Sequence, residues 1–123
     1  MKKVLVIDDD RIVKVIIEKW SEGRMEVEHL WRIPDDLSAL KDYDALVVDG
    51  QGIGNKSFRN GMDFLMSYDK PKGQSVVYHS GNGAYGHDKE ELDKRGVAVV
   101  TKGSNPEKLI LAIESAMEKK EVA

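Results

Sequence analysis

The chain has 123 residues, the size of one domain, and its hydrophobic and charged contents of 41% and 33% are typical of a globular protein rather than a disordered one. A formal net charge of −3 without a basic stripe argues against nucleic-acid binding, and no apolar run approaches the length of a membrane span. There is no cysteine and no signal peptide, so thiol chemistry is excluded and we expect a single cytoplasmic domain over residues 1–123.

Apolar residues alternate between strand and helix spacing along the chain. In chain order, the pattern predicts a strand at 4–7, a helix at 12–20, a strand at 25–31, a short helix at 34–40, a strand at 45–49, a helix at 62–68, a strand at 75–80, a helix at 84–95, a strand at 97–102 and a helix from 106 onward. A Gly-rich loop fills residues 50–61. Five strands alternating with five helices predict an α/β fold, a doubly wound five-stranded parallel sheet in a flavodoxin-like three-layer sandwich.

The last helix has the clearest predicted start. Ser104 and Asn105 can cap it, Pro106 suits a first turn, and Glu107 follows three residues after Ser104. Its predicted apolar face consists of Leu109, Ile110, Ala112, Ile113, Ala116 and Met117. We therefore expect this helix to pack on the sheet.

Polar residues follow four of the predicted strands. They are Asp8, Asp9 and Asp10 after the first strand, Asp49 after the third, Ser80 after the fourth and Lys102 after the fifth. The carboxyl ends of parallel strands share one edge of a sheet, and ligands bind in the crevice outside that edge. We therefore expect carboxylates, a hydroxyl and an ammonium group to converge on one small pocket.

The chemistry of such a pocket points to a phosphoryl group and a metal ion. Asp8, Asp9 and Asp49 would repel one another unless a cation compensated their charge. Oxygen ligands of this kind suit Mg²⁺, which keeps several waters and shares phosphate oxygens. Lys102 supplies a positive charge and Ser80 a hydroxyl donor, and both would stabilise a phosphoryl group in transfer. A carboxylate can itself be the nucleophile and form an aspartyl-phosphate.

This arrangement resembles the receiver domain of two-component response regulators. Asp-Asp, Asp, Ser and Lys stand in that family's order at successive strand ends, and the opening segment VLVIDDDRIV is very close to its opening motif. The resemblance extends over the whole chain. It implies that Asp49 is the phospho-acceptor, that Asp9 ligates Mg²⁺ directly, and that Asp8 acts mainly through a bound water. The backbone carbonyl of Gln51 would be the remaining protein ligand of the metal.

The resemblance also implies roles for the residues around the acceptor. Ser80 would bind one phosphoryl oxygen and Lys102 another, while the small Gly81 would leave room for the phosphoryl group to enter. Gln51 and Asn82 occupy positions that tune the lifetime of the acyl phosphate in similar proteins.

Partners follow from the same resemblance. The phosphodonor would be a phosphohistidine on a sensor histidine kinase or a phosphotransfer protein. The chain ends soon after its last helix, so we expect a stand-alone signalling domain rather than an enzyme or a DNA-binding protein. It would bind a downstream protein through its fourth helix, fifth strand and fifth helix, or pass the phosphoryl group on, with no membrane or nucleic acid involved.

Three features depart from the family pattern. The loop after the acceptor is several residues longer than usual and lacks a proline. Gly103 stands where a proline normally follows the lysine, and Val99 stands where similar proteins often carry an aromatic switch residue. These departures leave open a pseudo-receiver, a binding module that never uses phosphorylation.

A haloacid-dehalogenase-type phosphatase is a further alternative. Asp8 and Asp10 form a D-x-D after the first strand, which would make Asp8 the nucleophile. That class also needs an acidic pair at a strand end beyond the lysine, where this sequence offers only glutamates of the last helix or its tail. We place it behind the receiver.

The same residues have plainer structural interpretations. The three aspartates at 8–10 could simply cap the following helix, and Asp49 could be a turn residue. Taken singly, Ser80 could be a structural hydroxyl at a strand end, and Lys102 could be a solvated side chain with no role in a site. His79 points away from Ser80 in a regular strand, so we expect it to pack or to form a hydrogen bond. Only the joint pattern favours a site.

Overall fold

A single parallel sheet runs through the part of the chain that the structure describes. This computed structural model describes the backbone of residues 1–122 and the side chains of residues 1–115. The strands are β1 (Lys2–Ile7), β2 (Met25–Leu30), β3 (Ala45–Asp49), β4 (Ser75–Ser80) and β5 (Val97–Thr101). They lie in the order β2-β1-β3-β4-β5, which is the flavodoxin-like strand order. The predicted doubly wound, five-stranded parallel sheet is confirmed.

Helices connect the strands. Within residues 1–122 they are α1 (Ile12–Trp20), a 3₁₀ helix (Ser38–Asp42), α2 (Gly61–Leu65), α3 (Gly86–Lys94) and α4 (Pro106–Val122). None of these helices combines the length and the apolar composition that a membrane span requires. Four α-helices are therefore present in this part of the chain, and the prediction of five helices is wrong at the second connection.

The second connection is short and makes local bonds that compete with a helix. The Asp36 carboxylate accepts hydrogen bonds from the backbone N–H of Ser38 at 3.0 Å and from its hydroxyl at 2.7 Å. Such side-chain bonds offer the backbone an alternative to regular helical bonding. Of the 3₁₀ helix only Leu40 is buried, so a single turn suffices to cover the sheet.

Both faces of the sheet are covered, because successive side chains of a strand point to opposite faces. On one face, Val4, Val6, Val47 and Val77 pack with Val13 and Ile17 of α1 and with Leu109, Ile110 and Ile113 of α4. On the other face, Leu5, Ile7, Leu46, Val48 and Val76 pack with Leu40, Phe64, Leu65 and Leu92. The predicted inward face of the last helix is confirmed at Leu109, Ile110 and Ile113, while Ala116 and Met117 lie outside the described side chains. All five residues of β3 are buried, as a strand between two layers requires.

The strand register aligns the ends of the central strands. Ile7 pairs with Val48, so the residues that follow them, Asp8 and Asp49, leave the sheet at the same level. Ser80, the last residue of β4, pairs with Thr101, which precedes Lys102. The register alone thus brings the predicted polar residues to one edge.

Candidate functional site

Lys102 joins two carboxylates at the carboxyl edge of the sheet. Its Nζ atom lies 2.9 Å from Asp8 Oδ2 and 3.0 Å from Asp49 Oδ1. Asp8 and Asp49 are only 1% and 6% exposed, so both carboxylates lie at the floor of the site rather than in open water. A buried carboxylate needs a partner, and here one ammonium group serves two of them.

The surroundings of Asp49 shift its ionisation. Burial raises the pKa of Asp49 to about 6; the nearby Asp8 charge adds to this effect, while Lys102 and a hydrogen bond from the Gly50 N–H oppose it. That N–H donates to Asp49 Oδ1 over 2.7 Å. For Lys102, burial lowers the pKa, but the bonds and charges of Asp8 and Asp49 outweigh this and raise it. Lys102 is therefore a permanent cation that faces a carboxylate of reduced acidity.

The three consecutive aspartates take different roles. Asp8 Oδ1 accepts the backbone N–H of Asp10 at 2.8 Å, which leaves its other oxygen for Lys102. Asp10 Oδ1 accepts the N–H of Ile12 at 3.0 Å, at the first residue of α1. The plain capping interpretation therefore holds for Asp10. Asp9 is exposed at the mouth of the site.

Three carboxylates could hold a divalent cation. Asp8, Asp9 and Asp49 each offer an oxygen, and these oxygens lie within 4.8 Å of one another. Opposite ligands of an octahedral Mg²⁺ ion are roughly 4.2 Å apart, so small side-chain movements would bring these three oxygens to ligand distances. The donors are all hard oxygens, which suits Mg²⁺. Gln51, two residues past Asp49 in an exposed part of the loop, would add a backbone carbonyl.

Glycines leave the space that the carboxylates occupy. A Cβ at Gly52 would lie 2.1 Å from Asp9 Oδ2, and Gly52 has a positive φ of 79°. A Cβ at Gly61 would lie 1.8 Å from the Asp49 backbone oxygen. The Gly-rich loop therefore packs its backbone directly against the acidic residues. The sequence shows only that this loop is rich in glycine and gives no signal of these contacts.

Ser80 lies beside Gly50, the residue that follows Asp49. It is buried at the end of β4, and a Cβ on Gly50 would lie 2.7 Å from its Oγ atom. Its backbone oxygen accepts the Lys102 N–H at 3.0 Å, which ties the two strand ends together. A Cβ on Gly81 would meet nothing within 4 Å, so the space beyond Ser80 is open. The structure thus brings Ser80, Lys102 and the acidic residues together.

The departures from the family pattern have local structural counterparts. No cis peptide bond occurs among the described residues, and Gly103 takes a positive φ of 85° after Lys102. The long loop is anchored, because Asn55 donates to the backbone oxygens of Ile33 and Pro34. Val99 is half-buried and packs on the sheet face that carries α2 and α3.

Two histidines lie near the edge, and the sequence did not reveal the contact that His29 makes. His29 Nε2 donates to the backbone oxygen of Asp8 over 2.8 Å, because its strand pairs with β1. A single histidine at that position gives no recognisable sequence signal. His79 is buried as predicted, but its Nδ1 atom has no hydrogen-bond partner among the described residues. Burial, aided by the Lys102 charge, lowers the pKa of His79 to about 4, so the ring is neutral at physiological pH.

No protein-family model matches the sequence, and no curated protein matches it. Solved structures do match. The chain is similar to a CheY-like response regulator receiver domain protein from Methanospirillum hungatei JF-1, with 22% identity and a TM-score of 0.75 over 99% of this chain and 98% of that one. It is similar to the receiver domain of the Francisella response regulator 1452, with 23% identity and a TM-score of 0.72 over 97% and 98% of the two chains.

A third similar structure is a response regulator protein from Burkholderia pseudomallei that holds a phosphorylated aspartic acid, a calcium ion and citrate. The identity is 17% and the TM-score 0.69, over 99% of this chain and 72% of that one. These similarities show that the chain has the fold of response-regulator receiver domains.

Proposed function

We propose that this chain, which has the fold of receiver domains, is a single receiver domain over residues 1–123 that accepts a phosphoryl group on Asp49. The observation that carries the proposal is the position of Lys102 Nζ, within 3.0 Å of both Asp8 and Asp49 at the carboxyl edge of the sheet. An ammonium group in that position neutralises the acceptor site and can also bind a phosphoryl oxygen.

The reaction requires one free oxygen on Asp49. Oδ1 is bonded to the Gly50 N–H and to Lys102, whereas Oδ2 makes no hydrogen bond to any described residue. In our proposal an Asp49 oxygen attacks the phosphorus of a phosphohistidine, the P–N bond breaks, and the imidazole leaves with a proton. Ser80 Oγ and Lys102 Nζ bind the oxygens of the transferred group.

Asp8, Asp9, Asp49 and the carbonyl of Gln51 would hold Mg²⁺. The ion would supply positive charge that offsets the carboxylates and the phosphoryl oxygens. Gly52 supports this assignment, because its missing side chain leaves the space that Asp9 occupies. Gly81 supports the phosphoryl transfer rather than the metal site, because a Cβ added there would meet nothing within 4 Å and the approach beside Ser80 is open.

We assign the phosphodonor to a sensor histidine kinase or a phosphotransfer protein in the cytoplasm. We assign the output surface to α3, β5 and α4, where it would bind a downstream protein or serve a phosphorelay. Two observations support that surface: Leu111 of α4 is 62% exposed, and Leu92 is the only buried residue of α3 within the described chain. Because α3 is otherwise polar, few buried contacts hold it on the sheet.

The test is the intact mass of the protein after incubation with acetyl phosphate and Mg²⁺. We expect one added phosphoryl group on the parent and on Asp10→Asn, and none on Asp49→Asn. Asp10→Asn is the matched control, because Asp10 is a neighbouring acid whose side chain caps α1. Chelation of the metal should suppress the addition.

The same experiment separates the alternatives. A pseudo-receiver would show no mass change, and its partner binding would survive Asp49→Ala. A haloacid-dehalogenase-type phosphatase would turn over a phosphate monoester in a manner abolished by Asp8→Asn but not by Asp49→Asn.

A further inference from the structure

The loop between β4 and α3 carries an asparagine followed by a glycine, Asn82 and Gly83. Asn82 is exposed and lines the same surface groove as Ser80 and Gln51. Its side-chain amide forms no hydrogen bond to any described residue. The amide group is therefore free to rotate towards the backbone of the residue that follows it.

An asparagine side chain can react with the backbone of the next residue. The backbone nitrogen of that residue attacks the asparagine Cγ atom, the bond from Cγ to the side-chain nitrogen breaks, and ammonia leaves with the proton of the attacking N–H. Water then opens the resulting five-membered succinimide ring at either carbonyl carbon and gives aspartate or isoaspartate. A glycine in the second position favours the attack, because it has no Cβ to obstruct it and adopts backbone angles that other residues avoid.

Two of the four asparagines in the sequence are poorly placed for this reaction. Asn105 precedes Pro106, which has no N–H. The side chain of Asn55 is held on both sides, because its oxygen accepts two backbone N–H groups and its nitrogen donates to two backbone oxygens. The comparison therefore reduces to the two Asn-Gly pairs of the chain, at residues 60–61 and 82–83.

The two Asn-Gly pairs differ in how the fold holds them. The Asn60 side chain caps α2, because its oxygen accepts the Asp63 N–H at 2.9 Å. Gly61 is buried, and its N–H donates to a backbone oxygen at 3.1 Å. Attack at this pair would break both bonds. The Gly83 N–H instead lies 3.3 Å from the backbone oxygen at the end of β4, beyond the roughly 2.7–3.2 Å of ordinary N–H···O bonds, in an exposed loop that can open without disturbing a helix.

We propose that Asn82 is converted spontaneously to aspartate and isoaspartate in the folded protein, and that α2 protects Asn60 from the same reaction. The conversion needs only water and does not depend on phosphoryl acceptance. Its product carries a negative charge beside Ser80, whose Oγ atom lies 3.4 Å from the Asn82 backbone nitrogen. One consequence rests on the proposed function: if Asp49 accepts a phosphoryl group, the added charge repels the anionic donor.

The test is timed incubation of the folded protein in mildly alkaline buffer, followed by digestion and mass spectrometry of the peptides that contain the two pairs. Fragmentation that separates aspartate from isoaspartate, and labelling by an isoaspartyl methyltransferase, identify the products. We expect both products to accumulate at Asn82, and conversion at Asn60 to be slower by about tenfold or more, because attack there breaks a helix cap. Asn82→Gln should remove the products from its peptide and leave the rate at Asn60 unchanged.

The matched control is the same chain unfolded in urea. There α2 no longer holds Asn60, and both asparagines are followed by glycine, so the two pairs should react at similar rates. The difference between the folded and unfolded chains therefore measures protection by the fold rather than by the local sequence.

Three outcomes would overturn the proposal. They are equal rates at the two pairs in the folded protein, faster conversion at Asn60, and an unchanged Asn82 in the folded protein under conditions that convert both pairs in urea.

The consequence for phosphoryl acceptance is measured separately. Asn82→Asp should accept a phosphoryl group from acetyl phosphate about fivefold more slowly than Asn82→Gln, the effect of one charge across a few ångströms of water. Equal rates would refute this consequence. If the parent accepts no phosphoryl group, the proposed function fails, whereas the conversion of Asn82 is decided by the peptide masses alone.

Discussion

The Nζ atom of Lys102 lies 3.0 Å from Asp49 Oδ1, and the same atom contacts Asp8. In the metal-free protein, the Lys102 ammonium group offsets the negative charge of the buried carboxylates. A divalent cation would offset the same charge when it is bound. The lysine and the cation compete for the same carboxylate charge, although both would assist a transferred phosphoryl group. This competition has a measurable consequence.

Lys102→Met should bind Mg²⁺ more tightly than the parent but accept a phosphoryl group more slowly. The substitution removes a positive charge that lies about 3 Å from the carboxylates of Asp8 and Asp49, so the carboxylate cluster becomes more negative. We therefore expect calorimetry to show about a tenfold rise in Mg²⁺ affinity. Lys89→Met is the control, because Lys89 also forms a short ion pair, 2.7 Å from Asp93, but on the surface of α3. Unchanged or weaker Mg²⁺ binding in Lys102→Met would contradict this interpretation of the site.

Asp49→Asn should stabilise the metal-free protein at neutral pH. The pKa of Asp49 is raised from 3.8 to about 6, so the folded state loses stability as pH rises through this interval and Asp49 ionises. The variant does not ionise there, so it should be more stable than the parent at pH 7, and the difference should disappear as the pH falls towards 4. Urea unfolding in a chelator measures this difference. A variant that is less stable than the parent at pH 7 would contradict a raised pKa of Asp49.

His79→Leu should remove an acid sensitivity of the fold. The pKa of His79 is lowered from 6.5 to about 4, so the unfolded state takes up the proton first, and stability is lost as pH falls from about 6.5 to about 4. The loss is roughly 3 kcal/mol for this group. Because Asp49 acts in the opposite direction over the same interval, the comparison is made in the Asp49→Asn background.

As the pH falls from about 6.5 to about 4, the free energy of unfolding of Asp49→Asn should decrease. The decrease should be smaller in the double variant that also carries His79→Leu. His87→Leu is the control, since His87 is an exposed residue of α3. Equal pH profiles with and without His79 would rule out the buried neutral imidazole as the cause.

Gly52→Ala should impair the metal site beyond its effect on the backbone. Its Cβ would lie 2.1 Å from Asp9 Oδ2 and would displace that carboxylate. Gly23→Ala is a close control, because Gly23 has the same positive φ of 79° but nothing within 4 Å of an added Cβ. Both variants should lose about 1–2 kcal/mol of stability from the strained φ, measured by urea unfolding. Only Gly52→Ala should also lower Mg²⁺ affinity, and equal affinities in the two variants would exclude the contact with Asp9.

The positions of the strands and the shared edge were predictable from local patterns. Continuous apolar runs mark strands buried on both faces, and the register then brings Asp8 beside Asp49 without further assumptions. The second connection was not predictable in this way, because the bonds of Asp36 to Ser38 favour a turn over the helix that the spacing of Leu37 and Leu40 suggests. The spacing of apolar residues shows which side chains face the core. It does not show how many helical backbone hydrogen bonds the segment forms.

The amino-acid order by itself determined which chemical groups stand at the strand ends, because a strand's last residue is fixed by where its apolar run stops. It did not determine that Lys102 contacts both carboxylates, that Gly52 makes room for Asp9, that His29 bonds to the Asp8 backbone, or that His79 borders a cavity. These four relationships join segments that are far apart in the chain. They form only in the folded protein, where the helices packed on both faces of the sheet and the strand register set the distances between the loops. Side-chain identity is a local property, whereas contact distance, burial and the resulting pKa values belong to the folded whole.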